Sequence, residues 1–275
     1  FTSPNYSINF FGFGNETNNP NAIDEDGFDR DYNRVKLSTL KFSPSLKWIG
    51  DLGATFSFGI SFENIEVEST QDRFINTYYV ANGEELDNSY FGSEASYNFE
   101  NRDNQAFPTL GMEADFVAGF KTDLNDSKSF GYFIPSLAFD YKLVASGQLV
   151  LATKIKGHIT LGDDFEFYQA ASLGASDGLR GYRNQRFTGK NSFYQSTDIR
   201  LNLRKLKTGL LPLNIGVFGG LDYGRVWIKN DSSKKWNNSL GGGVFFNAAD
   251  MISGNLSAFN SDDGLQIAFK LGFGF

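Results

Sequence analysis

Arg180 is the residue with the clearest chance of directed chemistry. It stands in the run Leu179, Arg180, Gly181, Tyr182, inside a long polar stretch, with Arg183, Arg186, Phe187 and Gly189 following. Asp198 falls in the next alternating segment. Asp222 falls in the one after, within Gly220, Leu221, Asp222, Tyr223, Gly224, Arg225, Val226 and Trp227. A guanidinium is a planar fork that keeps its charge and binds carboxylates through paired N–H donors. An arginine on an inward-folding loop that meets two carboxylates is therefore a charge-assisted clamp. That chemistry holds a segment in place and breaks no bond. Taken alone, the four residues also read as a glycine turn carrying a solvated arginine.

The other titratable groups are poorly placed for catalysis. The single histidine, His158, stands beside Lys154 and Lys156 on one parity and reads as a polar wall group, since a ligand or base needs partners. Asp163 with Asp164, and Asp262 with Asp263, sit in connections where carboxylates are solvated or bind calcium loosely, and neither pair has an EF-hand spacing. No Gly-x-Ser-x-Gly elbow, phosphate loop or dinucleotide fingerprint stands in a strand–helix context. No catalytic residue, cofactor or metal site is expected. The absence of cysteine excludes a disulfide framework and thiolate ligation. A net charge of −7 without a basic stripe argues against a nucleic-acid partner.

The elements that must position these groups are strands. Residues 264–275 alternate without a break: Leu265, Ile267, Phe269, Leu271, Phe273 and Phe275 take one face, and Gln266, Ala268, Lys270, Gly272 and Gly274 the other. Similar alternation over 52–63, 112–121, 133–143, 149–159 and 197–203, with further segments near 5–14, 34–46, 90–101, 213–228, 238–247 and 251–259, predicts about twelve strands and no helix. In a soluble sandwich the polar face meets water; in a membrane barrel it lines the lumen and the apolar face meets lipid. The 29 Phe and 12 Tyr, and the terminal Phe275 as an outer-membrane signal, favour the membrane. No run of about 18 apolar residues offers a transmembrane helix. Short connections (145–148, 260–264) alternate with long polar ones (15–33, 67–89, 162–192), which predicts one short-turn rim and one long-loop rim.

On this parity Asp198 shares a face with Arg200 and Arg204, and Asp222 shares one with Gly220 and Gly224. Both carboxylates are expected to point into the lumen, with the glycines leaving room beside Asp222. The acidic residues Asp24, Glu25, Asp26, Asp29 and Asp31 read as a solvated loop, with binding of divalent ions or lipopolysaccharide as the other reading. No signal peptide is visible, and no linker divides the chain.

At these residues the sequence resembles the BamA/TamA/FhaC-type superfamily of outer-membrane assembly and secretion barrels, also called the bacterial surface antigen family. The family's (V/L)RG(F/Y) loop motif is matched by Leu179, Arg180, Gly181 and Tyr182, with Arg186 and Phe187 in support. Its lumen acids map onto Asp198 and Asp222, flanked by Gly220 and Gly224. Tyr97, Asn98, Phe99, Glu100, Asn101, Arg102, Asp103 and Asn104, then Phe107, Pro108, Thr109, Leu110 and Gly111, resemble its "RD…FPT.G" hairpin. Five predicted strands follow the loop, as the family requires; residues 1–90 fit by alternation only.

The resemblance implies an all-β transmembrane antiparallel barrel in the bacterial outer membrane. Residues 1–275 form one barrel domain with about 12 of 16 strands, and the first strands and a periplasmic region lie before it. It further implies a lumen-inserted loop and a non-enzymatic role in inserting or exporting proteins or lipids. The implied partners are outer-membrane lipid and lipopolysaccharide, a client outer-membrane or secreted protein or lipid, and periplasmic or lipoprotein accessory subunits. Relatives in Bacteroidetes-type bacteria carry a phosphoesterase domain ahead of the barrel, so a membrane platform for an absent enzymatic domain is the alternative. A passive porin is a third, which gains nothing from an inward arginine loop.

Overall fold

A computed structural model describes residues 5–16, 23–24, 27–28, 31–83, 85–104, 107–126, 128–207, 212–248 and 252–273. Besides a two-residue pairing of Ile23–Asp24 with Gly27–Phe28, the strands are β1 (Asn5–Asn9), β2 (Arg34–Phe42), β3 (Ser45–Ile49), β4 (Ala54–Val67), β5 (Asp87–Glu100), β6 (Gly111–Asp123), β7 (Ser129–Lys142) and β8 (Leu149–Leu161). After them come the short β9 (Ala171–Leu173) and β10 (Phe187–Gly189), then β11 (Asn191–Lys207), β12 (Pro212–Trp227), β13 (Asn237–Ala248), β14 (Ile252–Ser261) and β15 (Gly264–Phe273). One antiparallel sheet runs β1-β2-β4-β5-β6-β7-β8-β11-β12-β13-β14-β15, with β1 and β15 as its edges. β2 and β3 pair with successive stretches of β4 and are one strand interrupted at Pro44, which has no N–H for a ladder. The short strands β9 and β10 form a separate hairpin.

The exposed face is apolar. Phe56, Phe58, Ile60 and Phe62 on β4, Ile199 on β11, and Leu265, Ile267 and Phe269 on β15 are all solvent-facing, Phe269 at 63 %. A sandwich would bury such a face. Here it is the face that a membrane sheet turns to lipid. At the long-loop rim the polarity reverses: beyond Glu63 the outward residues of β4 are Asn64 and Glu66, while Ile65 and Val67 turn inward and are buried. There Val35, Leu37, Ile65, Val67 and Tyr90 form an interior core with Phe10 and Phe167.

The structure departs from the sequence expectations in four places. A helix, α1 (Phe74–Asn82), stands within the 67–89 connection, where none was expected. Its β-branched and aromatic residues are weak helix formers, and its N-terminus has no side-chain cap, so propensity conceals it. It is held by burial of Ile75 and Tyr79 in the interior core and by Gly83, left-handed at φ 65°, whose N–H donates to the Tyr79 carbonyl. The 260–264 connection lies on the same rim as the 162–190 loop, not on the short-turn rim, since an even number of strand crossings separates them. The 101–110 turn, on the opposite rim, is itself long. A bulge at Leu203 shifts the register between Asn202 and Arg204, so the backbone alternation that runs from Asp198 through Arg200 is unbroken only as far as Asn202. Phe275, and Glu25, Asp26 and Asp29 of the acidic loop, lie outside the described residues.

Candidate functional site

The 162–190 connection leaves β8 and turns into the lumen before rejoining the sheet at β11. The β9–β10 hairpin sits at its base, with Leu173 opposite Phe187. Leu173, Leu179, Tyr182 and Phe187 pack with Tyr194 of β11 and Val226 of β12 in one buried cluster. The Tyr182 and Phe187 rings meet edge to face at 5.0 Å. This apolar anchor fixes the loop, and glycines let it lie flat on the wall. A Cβ on Gly181 would stand 2.6 Å from that of Ser239, and one on Gly224 would stand 3.2 Å from Leu173 Cδ1 of the loop. The Gly181 carbonyl accepts from Ser261 Oγ at 2.6 Å.

Between these anchors Arg180 reaches both carboxylates. Its backbone N–H donates to Asp222 Oδ2 at 3.0 Å, its Nε to the same oxygen at 3.0 Å and its Nη2 to Oδ1 at 2.6 Å. The same Nη2 donates to Asp198 Oδ1 at 2.7 Å. The guanidinium lies 4.0 Å from the Phe259 ring centroid, a cation–π contact in a partly dehydrated place. Asp222 is 0 % exposed, and its remaining lone pairs take Ser196 Oγ at 2.7 Å and Ser239 Oγ at 2.9 Å. Burial disfavours the charge on Arg180, but the Asp222 and Asp198 carboxylates more than offset this and hold its pKa above the ordinary value. Gly220 is the open position beside the pair: a Cβ there would collide with Asp198 Oδ1 and Arg180 Nη2.

Arg186 does not join this group. Its Nε donates to Asp263 Oδ2 at 2.5 Å, and its guanidinium lies 4.9 Å from the Phe187 ring and 5.3 Å from that of Phe11. Asp263 is thus the shielded ion-pair partner of Arg186 and not a solvated turn residue, whereas Asp262 stays exposed and pairs with Lys235 at 2.8 Å. His158 stands apart, lining another cavity with Tyr132, Glu63 and Lys121. Among the described residues no group of three or more His, Cys, Asp or Glu is arranged to hold a metal.

Sequence reasoning missed Ser196, Ser239, Phe259 and Asp263. The two serines are the direct cross-strand neighbours of Asp222, a relation that exists only once register is known. It also missed a strap: residues 10–16 leave β1 and cross the interior to β12. There Asn15 Nδ2 donates to the Val226 carbonyl at 2.7 Å, and the Val226 N–H donates back to Asn15 Oδ1 at 2.9 Å.

A buried arginine loop is thus pinned to two inward-facing acids of an antiparallel sheet with an apolar outer face. The Omp85 superfamily domain matches residues 1–275. The chain belongs to the Omp85 superfamily. No curated protein matches it. Among solved structures it is similar to BamA from Haemophilus ducreyi lacking POTRA domains 1–3, at 16 % identity and a TM-score of 0.69, covering 86 % of this chain and 54 % of that one. It is also similar to CdiB from Escherichia coli, at 13 % identity and a TM-score of 0.62, covering 88 % of this chain and 46 % of that one. The chain therefore spans about half the length of these structures, and at such identities the likeness is one of fold. As an Omp85 barrel it is an outer-membrane protein.

Proposed function

We propose that this Omp85 chain is the barrel of an assembly or translocation factor that inserts or exports proteins or lipids, and that the Arg180 loop braces its lumen through Asp198 and Asp222. The observation that carries the reading is the fully buried Asp222 carboxylate with three N–H donors from Arg180. Family membership supports the assembly or secretion class. The lipid-facing belt meets outer-membrane lipid and lipopolysaccharide, and the client is an outer-membrane or secreted protein or lipid, with periplasmic or lipoprotein subunits in assistance. The site works by holding and releasing a loop, with no bond-making step.

The test uses the full-length protein in its native outer membrane. Arg180→Ala lowers both the heat resistance of the folded barrel and its insertion or export activity. In planar bilayers the wild type shows small, erratic openings, because the loop fills the lumen. A wide and steady conductance, or an Arg180→Ala variant equal to wild type in both folding and activity, refutes the reading.

A further inference from the structure

The lumen charges do not stop at Asp198. Arg200, on the same face of β11, lies with Nε 4.0 Å from Asp198 Oδ2, and its Nη1 donates to Asp140 Oδ1 of β7 at 3.3 Å. The same Nη1 donates to the Pro108 carbonyl at 3.4 Å, in the 101–110 turn from the opposite rim. Arg102 of that turn stands 3.7 Å from Asp140 Oδ2 and pairs with Glu113 of β6. Acid and base therefore alternate through Asp222, Arg180, Asp198, Arg200, Asp140, Arg102 and Glu113, from the centre of the inserted loop to the short-turn rim.

The turn is itself folded inward. Phe107 stacks on Phe245 of β13 with ring centroids 4.5 Å apart and planes 25° apart. Gly111, at φ +130°, lies so close beneath Arg102 that a Cβ would stand 2.7 Å from its Cα. A cavity of about 430 Å³ separates the turn from the loop, with Phe107 on one side, Ser176 and Asn184 on another, and Arg180, Asp198 and Arg200 in its wall.

We propose that Arg200 is a positioning residue that couples the 101–110 turn to the Arg180 clamp. The inference rests on the clamp reading above. Arg200 divides its donors between an acid of the turn's own network and the acid that also holds Arg180. When the turn is docked, Pro108 and Asp140 fix the guanidinium, and Asp198 is left to face Arg180 squarely. When a segment entering at the short-turn rim lifts Phe107 off Phe245, Arg200 loses the Pro108 carbonyl and swings toward Asp198. It then competes with Arg180 for that carboxylate, and the inserted loop loosens. A displacement at one mouth is transmitted to the loop from the other through one guanidinium.

Residues 1–275 contain no cysteine, and any cysteine elsewhere in the full-length protein is replaced by serine, so one introduced thiol is the only reporter. Leu173→Cys places a thiol in the buried cluster under the loop, and its labelling by a maleimide in the full-length, membrane-embedded protein reports loop release. Phe107→Ala raises the labelling rate by about tenfold when Arg200 is present and leaves it unchanged in the Arg200→Gln background, a coupling in the usual range for a shared network. Arg200→Lys, which keeps the charge without the fork, gives a partial response and guards against a folding defect in Arg200→Gln. An effect of Phe107→Ala that is absent, or equal in the Arg200 and Arg200→Gln backgrounds, overturns the coupling. If Arg180→Ala raises labelling in that same case, the clamp stands and only the coupling fails; if Arg180→Ala does not, both fall.

Discussion

Replacing Asp222 by asparagine tests the clamp with shape held constant. The asparagine removes one negative charge and turns an acceptor oxygen into an NH2 facing donors from Arg180, Ser196 and Ser239. Breaking a buried ion pair by removing one partner costs about 3–5 kcal/mol. The lower end applies here, about 3 kcal/mol, because Arg180 keeps Asp198. Asp198→Asn removes one charged hydrogen bond from a carboxylate whose side chain is 16 % exposed and can draw on water; its cost is about 1.5 kcal/mol. The energy is lost locally, in seating of the loop, so the readout is trypsin cleavage after Arg183 in the folded barrel. When the loop opens and closes faster than it is cut, cleavage tracks the open population. Asp222→Asn then speeds cleavage by about a hundredfold and Asp198→Asn by about tenfold. Cleavage of Asp222→Asn at the wild-type rate, or slower than that of Asp198→Asn, refutes the assignment of the buried carboxylate as the principal anchor.

Gly220→Ala forces a methyl onto Asp198 Oδ1 and Arg180 Nη2; it destabilises loop seating by about 1–3 kcal/mol, visible in the same cleavage assay, whereas Gly219→Ala, whose Cβ approaches only the Gly241 carbonyl at 3.9 Å, is tolerated. Asn15→Ala leaves the Val226 N–H and carbonyl without their side-chain partners, at a cost of about 1–3 kcal/mol; hydrogen exchange at the Val226 amide quickens, and an unchanged rate counts against the strap. Burial of Asp103 opposes its ionisation, but the Thr109 hydroxyl and the Thr109 and Leu110 N–H groups outweigh it and hold its carboxyl below the ordinary value of 3.8. A carboxyl that titrates lower when folded favours the folded turn at all pH above the unfolded value, and that favour is lost as pH falls through the folded one. Amide protection at Thr109 and Leu110 therefore drops on acidification below pH 3.8 and is pH-independent in Asp103→Asn.

The strands were legible because a barrel wall repeats one local rule: every second residue meets lipid. Residues 264–273 show it without a break, and the observed β15 follows them. The helix α1 was hidden because nothing local favours it; Ile75 and Tyr79 are helical through their burial against Phe10 and Phe167, which lie far away in the chain. Asp262 is as exposed as its place in a turn suggests, but Asp263 looked solvated because a connection two residues long says nothing of what folds down upon it.

The sequence by itself determined the strand faces and the residues of the arginine motif, since period-two alternation and residue type are local properties; it favoured lipid as the solvent of the apolar face, and the exposure of that face in the fold decided it. Tertiary structure alone decided which rim each connection occupies, that Ser196 and Ser239 finish the coordination of Asp222, that Asp263 holds Arg186, and that Arg200 stands between the loop and the 101–110 turn. Those facts depend on register and on chain crossings through the lumen. Register couples residues on neighbouring strands, and the Leu203 bulge shows how a single extra residue shifts every pairing beyond it.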